Sequence, residues 1–300
     1  MDRRSMLALM ASSGALSAGA APARAAARPP AGSHPITARD GTRLFARDWG
    51  HGPAILFVAA WALPSNAWQY QMVRLAEAGF RCVAFDRRGH GRSDDPGGGY
   101  DMDTLADDVA AVIEHFDLHD LVLVGHSMGG AESVRYLTRH GTRRVRRLVL
   151  IAPTTPCMTK AADNPDGLDP TVFAAMRTAF VQDFPGIVGA NIRPFVEPTT
   201  SDRMIDWILG MMAETSLQAV LGCNTAFSTA DFRAELPKLA LPTVIIQGDK
   251  DASAPLELTG RRTAALMPSA RLIVYEGAPH GLIYTRMDRL HQDLTAFAGT

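Results

Sequence analysis

The sequence predicts an α/β fold, a mostly parallel central sheet covered on both faces by helices. Three observations carry that prediction. From about residue 34 onward, short apolar runs alternate with amphipathic stretches, the pattern of strands joined by crossover helices. The alternation breaks once, over residues 154–237, where no strand pattern is found. One apolar run also ends in a glycine-flanked turn, Gly125-His126-Ser127-Met128-Gly129-Gly130, that leads directly into a helical stretch.

Residues 1–27 stand outside this pattern. Asp2-Arg3-Arg4-Ser5-Met6-Leu7 has the form of a twin-arginine export motif, and Ala23-Arg24-Ala25 offers small residues for cleavage. The stretch between them is interrupted by Ser12, Ser13, Gly14, Ser17 and Gly19, too weakly apolar for an anchor. The expectation is a cleaved signal peptide and a folded, exported, periplasmic protein with no membrane span.

Asp40-Gly41, flanked by runs at 37–39 and 43–48, signals a hairpin. Buried strands are expected at 54–59, 81–85, 121–124, 147–151, 243–247 and 271–275. Helices are expected at 102–116, 128–140 and 287–297. In the first, Leu105, Val109, Val112, Ile113 and Phe116 recur at helical spacing, with Asp107, Asp108 and Glu114 on other faces. Residues 154–237 are rich in Met, Phe and Trp, and Met204, Ile205, Trp207, Ile208, Met211 and Met212 give one helix a broad apolar face. The expected organisation is therefore a core over 34–153 and 238–300 with a helical cap insertion over 154–237. The cap must bury one face on the core and can line a site beneath it.

Composition narrows the function classes. The 300 residues are 47% hydrophobic and 20% charged, with a formal net charge of -1. That balance gives no global attraction to nucleic acid or anionic membrane. The one basic cluster, Arg143, Arg144, Arg146 and Arg147, reads as a solvated loop. Three cysteines, Cys82, Cys157 and Cys223, are too few for a disulfide framework, although Cys157 and Cys223 could pair in an oxidising compartment. No spacing matches a metal motif, so no metal is expected.

The turn at Ser127 carries the chemistry. Strand, Gly-x-Ser-x-Gly and helix together form a nucleophile elbow. The serine sits in a strained turn, so the residues two before and two after must lack side chains for strand and helix to approach. The turn aims Ser127 at a helix N-terminus, where unpaired N–H groups favour negative charge. With 26 glycines in the chain the bare pattern is a moderate signal; its setting between strand and helix strengthens it.

A serine hydroxyl needs a base, and the base a carboxylate to hold it. Where such an elbow operates, acid and histidine follow the serine in that order, each beyond a strand. Of the nine histidines only His280 and His291 lie far enough downstream. His280 follows a strand through Glu276-Gly277-Ala278-Pro279, whereas His291 lies inside an expected helix, so His280 is the candidate base. His126, beside Ser127, is expected to pack. Both Asp249 and Asp251 stand in the loop after residue 247, and spacing does not choose between them.

Three stretches make a resemblance specific: Ala84-Phe85-Asp86-Arg87-Arg88-Gly89-His90-Gly91-Arg92-Ser93-Asp94, then Leu105-Ala106-Asp107-Asp108, then the elbow with Glu132 and Arg135-Tyr136 after it. From about His34 onward the chain resembles the cofactor-free haloperoxidase and arylesterase group of the α/β-hydrolase family. The resemblance implies the second Asp of Gly-Asp-x-Asp, Asp251, as the acid and leaves Asp249 a structural role. It also implies an oxyanion hole from two backbone N–H groups, those of Met128 and Trp61. Similar enzymes carry His-Gly-aromatic where this chain has Ala59-Ala60-Trp61. Members named as haloperoxidases tend to have Pro directly after the aromatic residue, where this chain has Ala62.

The expected activity is hydrolysis of small or aryl carboxylic esters through an acyl-enzyme, without metal or organic cofactor. The partner is then a small-molecule ester. Perhydrolysis, lactone opening and carbon–carbon bond hydrolysis use the same three groups; epoxide hydrolases and haloalkane dehalogenases place Asp at the elbow, which Ser127 argues against. A catalytically silent small-molecule binding protein is the alternative of another class, and the altered Ala59-Ala60 loop is the feature pointing to it.

Overall fold

A computed structural model describes residues 36–299; the export signal expected over 1–27 lies outside the described residues. The hairpin forms from β1 (Ile36–Thr37) and β2 (Arg43–Leu44), paired antiparallel. Gly41, at φ 90°, donates to Ala38 at the tip. The expected single run over 43–48 is in fact two strands broken at Phe45. Its second part, β3 (Ala46–Trp49), leaves the hairpin and joins the main sheet.

That sheet continues with β4 (Ala54–Val58), β5 (Arg81–Phe85), β6 (Leu121–His126), β7 (Val145–Ile151), β8 (Thr243–Gly248) and β9 (Ala270–Tyr275). Its order is β3-β5-β4-β6-β7-β8-β9, parallel throughout except for β3 at the edge. The expected central strands are all present, with ends shifted by a residue or two. β7 begins two residues earlier than expected, so that Arg146 as well as Arg147 belongs to it. Their side chains reach the carbonyls of Ala298 and Phe297, so half of the basic cluster is strand rather than solvated loop.

The helices are α1 (Gln69–Glu77), α2 (Met102–His115), α3 (Met128–His140), α4 (Pro170–Phe195), α5 (Asp202–Ala213), α6 (Leu217–Thr229), α7 (Gly260–Leu266), α8 (Leu282–Thr285) and α9 (Met287–Gly299). Successive side chains of a strand face opposite sides, and the core divides accordingly. Leu56, Val58, Leu123 and Leu150 pack with Leu105, Val109 and Val134 of α2 and α3. Ile55, Phe57, Val124 and Ile151 pack with Met72, Leu75, Leu290 and Leu294 of α1 and α9. Arg88 ties α2 to the sheet, donating to both Asp108 oxygens at 2.7 Å and to Asp40 at 2.7 Å.

Between β7 and β8 run α4, α5 and α6. α4 is broken at Asp183 (φ -159°, ψ 76°), whose carboxylate accepts from Gly186 N at 2.8 Å and so caps the second half, with Pro185 in its first turn. Among the described residues no helix is long and apolar enough to cross a membrane.

Candidate active site

The elbow is built as its sequence requires. Ser127 stands between β6 and α3 at φ 56°, ψ -120°, a left-handed conformation that costs on the order of 1–3 kcal/mol for a non-glycine residue. Its amide donates to Ile151 O at 2.8 Å, and its carbonyl accepts from Gly130 N at 2.9 Å, which hold the turn. A Cβ at Gly125 would lie 2.4 Å from Gly129 O, so strand and helix meet here. A Cβ at Gly129 would lie 2.3 Å from Val58 O and 2.6 Å from Ala59 O. The second glycine thus admits the end of the neighbouring strand β4, and with it the loop that follows.

His280 and Asp251 meet. Nδ1 of His280 lies 2.8 Å from Asp251 Oδ2, with the two residues 3% and 5% exposed. The other oxygen, Oδ1, accepts from Ser253 N at 3.0 Å and Ala254 N at 2.8 Å, and Gln247 Nε2 donates to Oδ2 at 3.2 Å. Four donors surround one carboxylate, which fixes its plane. Asp249 instead accepts from Gly277 N at 2.7 Å, bracing the loop that presents His280. Of the two aspartates that spacing left open, Asp251 faces the histidine. Gly248 lets that loop close down, since a Cβ there would lie 1.9 Å from Ala278 O.

His280 is set against the elbow through residue 126. The His126 ring lies 5.1 Å from the His280 ring, and its Nε2 is 3.1 Å from the His280 carbonyl, to which it must donate. Burial, and then the nearby His280, lower the His126 pKa to about 3, so its ring is neutral. The Ser127 hydroxyl is not hydrogen-bonded to His280, and among the described residues it has no protein partner. His291 lies inside α9, as the sequence led us to expect. From the other side Phe195, the last residue of α4, accepts from Gly281 N at 2.7 Å and lays its ring 5.6 Å from that of His280.

The backbone N–H groups of Met128 and Trp61 have no hydrogen-bond acceptor among the described residues. The Ala59-Ala60-Trp61 loop closes in a turn in which Leu63 N donates to Ala60 O at 3.2 Å and Ala62 takes φ 57°. Proline, locked near about -65°, does not fit that residue's conformation. The Trp61 indole donates to Val220 O of α6 at 3.0 Å and packs against Phe180 and Phe184 of α4, 5.1 and 5.8 Å away.

Two residues whose roles the sequence did not reveal sit behind this loop. Arg87 and Glu132 form a buried pair, and Arg87 also reaches the carbonyls of Ala59 and Ala60. Burial pushes the Glu132 carboxyl up to about 7 against the pull of Arg87. Burial opposes the Arg87 charge most strongly, but the surrounding groups, Glu132 first among them, together hold Arg87 above its usual value. The guanidinium stays charged. Cys82, Cys157 and Cys223 are free and buried, so the Cys157–Cys223 pairing is not made, and burial raises the Cys82 and Cys223 thiols to about 12. Among the described residues no cluster of three His, Cys, Asp or Glu side chains is placed to hold a metal ion. An open cleft of about 1140 Å³ lies on the outer side of α2 and α3, bordered by Asp107, Glu114 and Arg139; none of the candidate residues lines it.

A parallel sheet with a strained serine at the end of one strand, and a paired aspartate and histidine beyond two others, defines an α/β-hydrolase. The chain belongs to the alpha/beta hydrolase fold family, whose sequence profile matches residues 53–286. It is 40% identical over 271 residues to a non-heme chloroperoxidase of Kitasatospora aureofaciens, covering 87% of this chain and 98% of that protein. It is 39% identical over 273 residues to a bifunctional esterase/perhydrolase of Acinetobacter calcoaceticus, with coverage of 87% and 98%. Among solved structures it is similar to an esterase from Exiguobacterium antarcticum, with a TM-score of 0.86, 29% identity, and coverage of 88% and 98%.

Proposed function

We propose that the chain hydrolyses small or aryl carboxylic esters through an acyl-enzyme on Ser127. His280 takes the Ser127 proton as the hydroxyl attacks the ester carbonyl, and then gives it to the leaving alkoxide or phenoxide. Water, deprotonated by His280 in turn, cleaves the acyl-serine and releases the acid. Asp251 accepts the His280 Nδ1–H and keeps it pointed at itself, which leaves Nε2 free to accept. The N–H groups of Met128 and Trp61 stabilise the tetrahedral oxyanion. The observation that carries this reading is the buried 2.8 Å contact of His280 with Asp251, beside a serine held in an elbow. The aromatic surroundings of Trp61, with Phe180, Phe184 and Phe227 on the helical segment, support an apolar acyl or aryl group.

A second reading is perhydrolysis, in which hydrogen peroxide replaces water on the same acyl-enzyme and releases a peracid. The likeness to a chloroperoxidase and an esterase/perhydrolase favours it; Ala62, at a φ of 57° where haloperoxidase-type relatives tend to carry Pro, favours the ester. The test is a fluorophosphonate, which should label Ser127, together with p-nitrophenyl ester turnover with and without peroxide. Ser127→Ala should cut kcat/KM by roughly 10⁴-fold or more while the protein stays folded. An unlabelled Ser127 in folded protein refutes catalysis and leaves the binding-protein alternative.

A further inference from the structure

We infer that Arg87, held by Glu132, is a positioning residue that aims the Trp61 N–H into the oxyanion hole. The inference rests on the acyl-enzyme reading above. Arg87 is 2% exposed and Glu132 0%. Arg87 Nε donates to Glu132 Oε1 at 2.8 Å, and one terminal nitrogen lies 2.6 Å from the same oxygen. Of the remaining donors, one faces His90 Nε2 at 3.3 Å and the others reach the loop. One terminal nitrogen donates to Ala59 O at 2.7 Å, the other to Ala60 O at 3.3 Å.

The geometry of the peptide turns those contacts into an aim. Ala60 C=O and Trp61 N–H belong to one planar trans unit and point in opposite directions. Drawing the Ala60 oxygen toward the guanidinium therefore turns the Trp61 N–H away from it. Glu132 completes the device because it sits on α3, the helix that Ser127 begins. Arg87 thus bridges the loop to the nucleophile's own helix, while Gly129 receives Ala59 O from the other side. The loop needs such an anchor, since Ala59 and Ala60 have no polar side chain to fix it.

A purely structural pair is the competing account. Buried ion pairs add little stability relative to apolar residues of like size, and this leads to a separating experiment. Arg87→Met combined with Glu132→Leu removes both charges together, so no charge is left unpaired. Kinetics on p-nitrophenyl acetate, a thermal melt, fluorophosphonate titration of reactive serine and the pH profile of kcat/KM are compared with the parent. We expect a folded protein with kcat lowered by roughly 10- to 100-fold, KM within about 3-fold, and an unchanged pH midpoint, because the oxyanion contact acts in the transition state. A folded double variant with kcat within about 3-fold of the parent, or a loss confined to KM, overturns the inference. If the double variant does not fold, Arg87→Lys decides: its ammonium cannot span Glu132 and both carbonyls, and kcat should fall about 10-fold; unchanged kcat overturns the inference. Ser127→Ala runs alongside. Turnover that survives it refutes the acyl-enzyme reading and this one with it, whereas Ser127-dependent turnover with unchanged kcat in the Arg87 variants refutes this one alone.

Discussion

Asp251→Asn tests the histidine–carboxylate pair most sharply, because the surroundings of the carboxylate dictate how an amide must sit. Asp251 Oδ1 accepts from two backbone amides, Ser253 N at 3.0 Å and Ala254 N at 2.8 Å. Those donors cannot turn, so the oxygen of the introduced amide takes their side and its NH2 takes the Oδ2 position. There it faces Nδ1 of His280, formerly 2.8 Å from a carboxylate oxygen. Two N–H groups cannot share that contact, so His280 moves its proton to Nε2, the nitrogen meant to accept from Ser127. Gln247 does not relieve the conflict, because its Nε2 is itself a donor and its two hydrogens can be taken up by Ala254 O and Thr259 Oγ1. The wrong tautomer costs kcat roughly 10⁴-fold, or about 5 kcal/mol of barrier. Stability should change much less, since both backbone hydrogen bonds survive. The assay is kcat on an aryl ester, with a thermal melt to show the fold intact. A folded Asp251→Asn enzyme within about 10-fold of the parent refutes the assigned roles.

Two further outcomes follow from the same geometry. Gly129→Ala normally favours a helix, but here the new Cβ would lie 2.3 Å from Val58 O. β4 must then retreat by about 1 Å and take the Trp61 loop along, so kcat should fall about 100-fold and urea denaturation should show a loss of about 1–3 kcal/mol; an active, stabilised variant refutes this packing. His90 and His126 are fully buried, and burial lowers both to about 3 from an ordinary 6.5. A depressed folded-state pKa gives stability that is present above 6.5 and is lost as pH falls toward about 3, because only the unfolded chain binds the proton. Lowering the pH from about 6.5 to about 4.5 should thus cost about 2 kcal/mol per histidine, set against the opposite contribution of Glu132, whose carboxyl burial raises to about 7. His126→Gln should therefore recover its own share, about 2 kcal/mol, in urea titrations at about pH 4.5 relative to about pH 6.5, and an unchanged pH dependence refutes the neutral buried ring.

Much of this was legible because local pattern reports local structure. The strands at 81–85 and 243–248 are each built on an apolar run, residues 82–85 and 244–246, and the elbow is readable since Gly125 and Gly129 have no alternative in so tight a turn. The order serine, acid, histidine pointed to His280 beyond β9 and to Asp249 or Asp251 beyond β8, and only the resemblance singled out Asp251, which lies against His280. What periodicity cannot report is which segments become neighbours. The break at Phe45 arises because β3 finds β5, a partner some thirty-five residues away. Gly129 makes room for β4 rather than for its own strand, which depends on the order of the sheet. The roles of Arg87 and Glu132 stayed hidden for the same reason. Charged residues usually face solvent, and only the folded chain brings residue 87 to residue 132 and to the Ala59 carbonyl.

The end of α4 ties two properties that would otherwise vary freely. Phe195 closes a helix of the segment that surrounds Trp61, yet its carbonyl holds Gly281 and its ring lies beside His280. Whatever reshapes that segment therefore also tugs on His280, the side chain proposed to carry the proton. Grafting the segment from a relative should succeed only where the donor supplies an equivalent of residue 195 in register. On the proposed reading, selectivity can drift at Phe180 and Phe184, within the helix, whereas its last residue is tied to the proposed base.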